Sequence, residues 1–166
     1  MKVSKVCKLE MHMIPQDRAL LLRLFDENRL LARIAYNVMR TYGYLLIVRN
    51  AKATEKGGRV PKCPREIVGI VKKCMESYDE YAPLREWSSE LIDLQVNKVW
   101  ESFVATYRAH GRMPGEGIID SLGRVLRVRV SKTARRSGRF YSRMLTIYGE
   151  GEWLAFSLGT VSYTHL

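Results

Sequence analysis

The sequence predicts an α+β chain in which one strand is followed by three helices and then by at least three further strands. Two periodicities and a set of breakers carry the prediction. Apolar residues recur at three, four and seven from Leu20 to Tyr107, the spacing of a helix face. They alternate at two over residues 3–14 and again beyond Gly117, the spacing of a strand. Pro15, Gly57-Gly58, Pro83 and Pro114 punctuate the segments.

The first strand covers 3–14, with Val3, Lys5, Cys7, Leu9, Met11 and Met13 on one side, and stops at Pro15. A long helix is expected from Gln16 to about Leu46, because Leu20, Leu24, Leu31, Ile34, Val38 and Tyr42 make one apolar stripe; Gly43 weakens its end. Arg49 to Pro64 reads as a basic loop carrying Lys52, Lys56, Arg59 and Lys62. A second helix opens near Pro64, a residue suited to a first turn, and carries Ile67, Val71, Cys74, Tyr78 and Tyr81 at helical spacing until Pro83. Ser88 or Ser89 caps a third helix, with Glu90 and Asp93 where the helix dipole favours anions. Its apolar face is Ile92, Val96, Val99, Phe103 and Tyr107, and Gly111 and Pro114 end it. From Gly117 the period becomes two: Leu126, Val128 and Val130 alternate with Arg127 and Arg129. A basic loop over 132–138, a strand over 139–148, a turn at Gly149-Glu150-Gly151 and a return over 153–158 complete the order.

Composition narrows the class. The chain has 166 residues, 28 Lys+Arg against 17 Asp+Glu, and a formal net charge of +11. Its 46% apolar and 27% charged residues are those of a globular chain with a core, not of a disordered or collagen-like one. No run approaches the ~18 to 20 apolar residues of a membrane span, so no membrane partner is expected. No apolar segment follows the charged start as in a secretory signal. Cys7, Cys63 and Cys74 are an odd set without CxxC spacing, as expected of free thiols in a cytoplasmic protein.

The charge is uneven. Residues 81–120 carry 4 basic and 6 acidic side chains, while residues 121–166 carry 8 and 2. Between Ser121 and Gly149 there is no acid at all. Two basic regions around a nearly neutral middle fit a polyanion such as nucleic acid, the plain alternative being a solvated basic face.

Two basic constellations stand out. On the first helix Arg18, Arg29 and Arg40 are spaced by eleven, close to three turns, and Arg33 and Asn37 follow Arg29 at four and eight. Such a row can fork onto phosphates, or it can be an exposed face with pairs such as Asp26 to Arg29. The second comprises Arg124, Arg127, Arg129, Lys132, Arg135, Arg136, Arg139 and Arg143, with Phe140 and Tyr141 as possible stacking surface for an unpaired base. Its alternative is a solvent-facing strand pair over core aromatics. Catalysis has little support. His12 and His110 are isolated, and Cys7 and His12 fall on opposite strand faces. Glu116 and Asp120 flank a glycine-rich turn, and Trp87 and Trp100 suit inter-helix anchoring. Neither a phosphate-cradling glycine loop nor a nucleophile elbow occurs.

The last residues, Thr160-Val161-Ser162-Tyr163-Thr164-His165-Leu166, can be encoded by ACT GTC TCT TAT ACA CAT CTN. That string contains the transposase mosaic end used as a sequencing adaptor. Residues 160–166 are therefore expected to be adaptor translation rather than native sequence, and His165 is no ligand.

Several short motifs together resemble one family. They are Lys8-Leu9-Glu10-Met11-His12-Met13-Ile14-Pro15, then Leu21 to Phe25, Arg33-Ile34-Ala35-Tyr36-Asn37, Leu94-Gln95 with Trp100, Phe103 and Tyr107, and Gly151 to Gly159. The pattern resembles the N-terminal part of TnpB-like RNA-guided nucleases and the related type V CRISPR effectors. One position departs: Ala19 stands where the family often has Gln, four residues after the proline. The resemblance implies an antiparallel oligonucleotide-binding-like sheet or barrel, the wedge, with a three-helix recognition insertion after its first strand. It would divide the chain into 1–15 as first wedge strand, 16–112 as helical insertion and 113–159 as remaining wedge strands. Guide RNA and target DNA would be the partners. No cofactor is implied for this segment, since the family's divalent metal belongs to a RuvC nuclease domain further along the chain. A stand-alone basic DNA- or RNA-binding module or regulator is the alternative.

Overall fold

A computed structural model describes residues 15–55, 58–126, 140–141, 145–150 and 153–158. The first expected strand, at 3–14, and Arg127 to Arg139 lie outside the described residues. Over 15–126 the chain is a helical bundle. In order it has α1 (Pro15–Tyr42), α2 (Tyr44–Ala53), α3 (Arg65–Ser77), a 3-10 helix (Asp79–Glu86), α4 (Ser89–His110) and α5 (Ile118–Gly123).

The expected α+β class, with its oligonucleotide-binding-like sheet or barrel, is corrected by this body: its described residues are all-helical in class, 79% helical and without a strand. Later in the chain, the described residues form β1 (Phe140–Tyr141), β2 (Leu145–Glu150) and β3 (Trp153–Leu158), an antiparallel meander in that order. Glu150 faces Trp153 and Leu145 faces Leu158. Among the described residues these strands close into no barrel.

Three finer expectations also change. The first helix breaks at Gly43, so α2 occupies the start of the expected basic loop. Glycine is a weak helix former, and the break lets Ile47 and Ala51 turn into the core. The second helix ends at Ser77, and Pro83 sits within the 3-10 helix. Finally, Ile118 to Gly123 is helical where period-two spacing was expected. Ile119 and Leu122 bury one short face against α1.

The third expected helix appears as α4. The Ser88 side chain accepts a hydrogen bond from the Leu91 N–H at 3.2 Å, satisfying one free donor of the first turn. Gly111, at φ 65°, ends it in the left-handed conformation that favours glycine.

The core lies between α1 and α4. Tyr36, Leu31 and Met39 of α1 meet Val96, Trp100 and Phe103 of α4, all fully buried. Tyr36 and Phe103 pack edge to face with centroids 5.3 Å apart. Trp100 donates its Nε1–H to the Pro61 carbonyl at 3.0 Å, and Asn97 Oδ1 accepts from the Cys63 N–H at 2.7 Å. These two bonds tie the segment before α3 to α4. Trp87 donates to Glu27 Oε2 at 2.7 Å while Arg23 donates to Glu27 Oε1 at 2.7 Å, so both oxygens of this buried carboxylate are engaged. Trp87 thus ties the end of the 3-10 helix to α1, while Trp100 ties α4 to the segment before α3.

α5 is held by a polar clamp. Asn28 Nδ2 donates to the carbonyls of Leu122 (3.2 Å), Gly123 (2.8 Å) and Val125 (3.0 Å). The buried Lys98 ammonium reaches the Leu122 carbonyl at 2.6 Å and also bonds the Val125 carbonyl. Two cationic or amide donors therefore cap the carbonyl end of α5, where the helix dipole favours positive charge. The approach to α1 is close: a Cβ on Gly123 would lie 2.8 Å from Arg29 Cβ.

Candidate nucleic-acid interface

Two segments without any Asp or Glu, 28–54 and 102–115, lie far apart in sequence. Packing puts them together. Tyr36 meets Phe103, and the Tyr36 hydroxyl donates to the Pro114 carbonyl at 3.0 Å. Tyr44 meets Tyr107 edge to face, with centroids 6.3 Å apart. Arg108 Nη1 donates to the Thr54 carbonyl at 3.3 Å. One end of the bundle, formed by the C-terminal half of α1, by α2 and by the end of α4, thereby carries Arg40, Arg49, Lys52, Arg108, His110 and Arg112, all exposed. Glu27, Glu55, Glu101 and Glu116 border these segments. Within the two segments the only charged side chains are basic, so this end carries a positive potential.

The expected arginine row on α1 is split rather than continuous. Arg18 is exposed in the first turns. Arg29 forms an ion pair with Asp120 of α5 at 3.0 Å, not with Asp26. Arg33 lies close enough to Tyr81 to oppose the rise in its pKa. Asn37 is exposed and lines a shallow groove of about 220 Å³ with Ile34, Val38, Cys74, Tyr78, Glu80 and Tyr81. In that groove the hydrogen bond to Glu80, then burial, push Tyr81 up to about 12. Arg40 belongs to the basic end, where its guanidinium lies 5.9 Å from the Tyr36 ring centroid and donates to the Tyr36 hydroxyl at 3.3 Å. The helical spacing was right, but burial of Tyr36 in the middle of the row divides it.

Arg124 is exposed immediately after α5. Arg127, Arg129, Lys132, Arg135, Arg136, Arg139 and Arg143 lie outside the described residues, while Phe140 and Tyr141 form β1. Arg108 and Arg112 were not singled out from the sequence, where Arg49 and Lys52 figured only as part of a basic loop. The signal available was the absence of acids in both segments, which acquires meaning only when the two are paired in space.

The chain matches no protein-family model, no curated protein and no solved structure. Among the described residues no group of three or more His, Cys, Asp and Glu side chains could hold a metal ion. No described helix is long and apolar enough to cross a membrane.

Cys63 and Cys74 are free thiols. Burial, then the nearby Asp93 carboxylate, push the Cys63 thiol from 9.0 up to about 12. The thiolate is the nucleophile, so Cys63 is inert in the folded protein. Half-buried Cys74 is therefore expected to react with iodoacetamide well before Cys63, as read by peptide mass spectrometry. The sign for stability follows from the raised value. The Cys63 contribution is intact below pH 9.0 and is lost as pH climbs towards about 12, because only the unfolded thiol ionises in that window.

Proposed function

We propose that the chain binds nucleic acid through the basic end of its helical bundle, as the recognition region of an RNA-guided DNA nuclease. The observation that carries this reading is the apposition of the two acid-free segments, joined by the Tyr36–Phe103, Tyr44–Tyr107 and Arg108–Thr54 contacts. Guide RNA and its heteroduplex with target DNA are the partners it names. Arginine and lysine side chains neutralise phosphates and follow the A-form backbone, while base pairing reads sequence. The chemistry assigned to this segment is binding, without cofactor; divalent-metal cleavage belongs to a separate nuclease domain. A cytoplasmic setting goes with this reading, since it keeps Cys63 and Cys74 reduced.

A stand-alone RNA- or DNA-binding module is the second reading. It is favoured by the helical body over 15–126, which lacks the barrel that the family resemblance implies.

Arg49, Lys52 and Arg112 are exposed and make no ion pair with the described residues, so changing them leaves the bundle intact. The triple variant Arg49→Gln, Lys52→Gln, Arg112→Gln is expected to bind structured RNA at least roughly tenfold more weakly near physiological salt. Its salt dependence should be shallower by about one in log–log slope per lost phosphate contact. Fluorescence anisotropy across a salt series checks this, and an unchanged Kd and slope would refute the assignment of these side chains.

A further inference from the structure

We infer that the corner between α1 and α2 is a stacking platform for unpaired bases of single-stranded RNA. The inference rests on the nucleic-acid reading above and deepens it by naming the form of RNA this surface takes. Among the large hydrophobic side chains exposed in the described residues, three fall within four positions: Tyr42 at 63%, Tyr44 at 48% and Leu45 at 78% exposure. Helical spacing placed Tyr42 on the core stripe four residues after Val38. Yet Val38 is buried and Tyr42 stands in solvent, so the stripe runs out of the bundle here.

Tyr44 is already oriented. Its ring packs edge to face on Tyr107, at 89° and with centroids 6.3 Å apart, so less freedom is lost when a base lands on the exposed part. The immediate surroundings are basic. Arg40 precedes the corner, Arg49 follows it and Arg108 lies beside it on α4, while the acids that border these segments are Glu27, Glu55 and Glu101. Protein interfaces deplete charged residues from their apolar centre, whereas single-stranded nucleic acid asks for aromatic faces between cations. A duplex keeps its bases stacked on each other and offers this corner only backbone. The occupant that uses both the rings and the cations is therefore an unpaired stretch of nucleic acid, which the reading above makes RNA.

The test uses the full chain with a short single-stranded RNA containing 2-aminopurine and with a blunt RNA duplex of the same sequence. Binding of the single strand should change the 2-aminopurine fluorescence through stacking. Tyr42→Ala and Leu45→Ser, both at exposed positions, should each weaken single-strand binding by up to roughly tenfold while leaving duplex affinity unchanged. Circular dichroism of each variant reports whether the helices are retained. Equal loss for both RNA forms, or no effect of either variant on single-strand binding, would overturn the platform while salt-sensitive RNA binding stands. Absence of binding to either RNA would overturn the underlying reading as well.

Discussion

Trp100→Ala is expected to destabilise the protein by about 3–5 kcal/mol, a large share of what a domain of this size has. The indole is fully buried in the core, so its removal leaves a cavity that the surrounding helices cannot fill without moving. It also leaves the Pro61 carbonyl without its indole donor and loosens the segment that leads into α3. Urea unfolding followed by far-ultraviolet circular dichroism measures the loss. Trp100→Phe, which keeps most of the volume but not the hydrogen bond, should lose less. Equal stability of Trp100→Ala and the wild type would contradict the core described here.

The second large effect is expected at Asn28. The two hydrogens of one amide nitrogen are shared among three carbonyls, and Asn28→Ala removes all of these contacts at once. A loss of about 2–3 kcal/mol is expected, since the Gly123 carbonyl then has no side-chain donor in a buried position. Lys98 continues to hold the carbonyls of Leu122 and Val125, so α5 should loosen rather than leave. Hydrogen exchange should therefore rise in 118–125 more than in α4. The loss also reaches the surface, because α5 carries Asp120, the partner of Arg29, and precedes Arg124. Uniform exchange across α4 and α5 in this variant would argue against a local clamp.

The legible parts of the fold are those with long period and clear punctuation. Over its 22 residues α4 combines a serine cap, an unbroken apolar face and a terminal glycine, and it could be read directly. α5 has 6 residues, too few to show a period, and its folding depends on docking its Leu122–Gly123 turn on Arg29 and Asn28 of α1. Nothing local announces that docking. The break at Gly43 was visible only as a weak point, because the residues after it continue an apolar pattern; the change of direction is set by packing of α2 on α4. The barrel expectation came from resemblance to a family and from alternation beyond Gly117, and tertiary packing overrode it in 118–123.

The candidate site was less legible than the fold. The α1 arginines share a helical face, but one-dimensional spacing cannot show that Tyr36 on that face is buried or that Arg29 is neutralised by Asp120. Conversely, Arg49 and Arg108 are 59 positions apart in sequence and belong to one basic end only because Arg108 reaches Thr54 at the end of α2. Charge tallies by blocks of sequence separate α1 and α2 from the end of α4 and hide it.

The central claim is that this end grips a phosphate backbone. The most direct test is the affinity of the full chain for a structured RNA as salt is raised from about 50 to 200 mM. If about four phosphates are neutralised, log K should fall linearly with log salt and affinity should drop by roughly a hundredfold over that range. An affinity that stays flat across the same series would contradict the account.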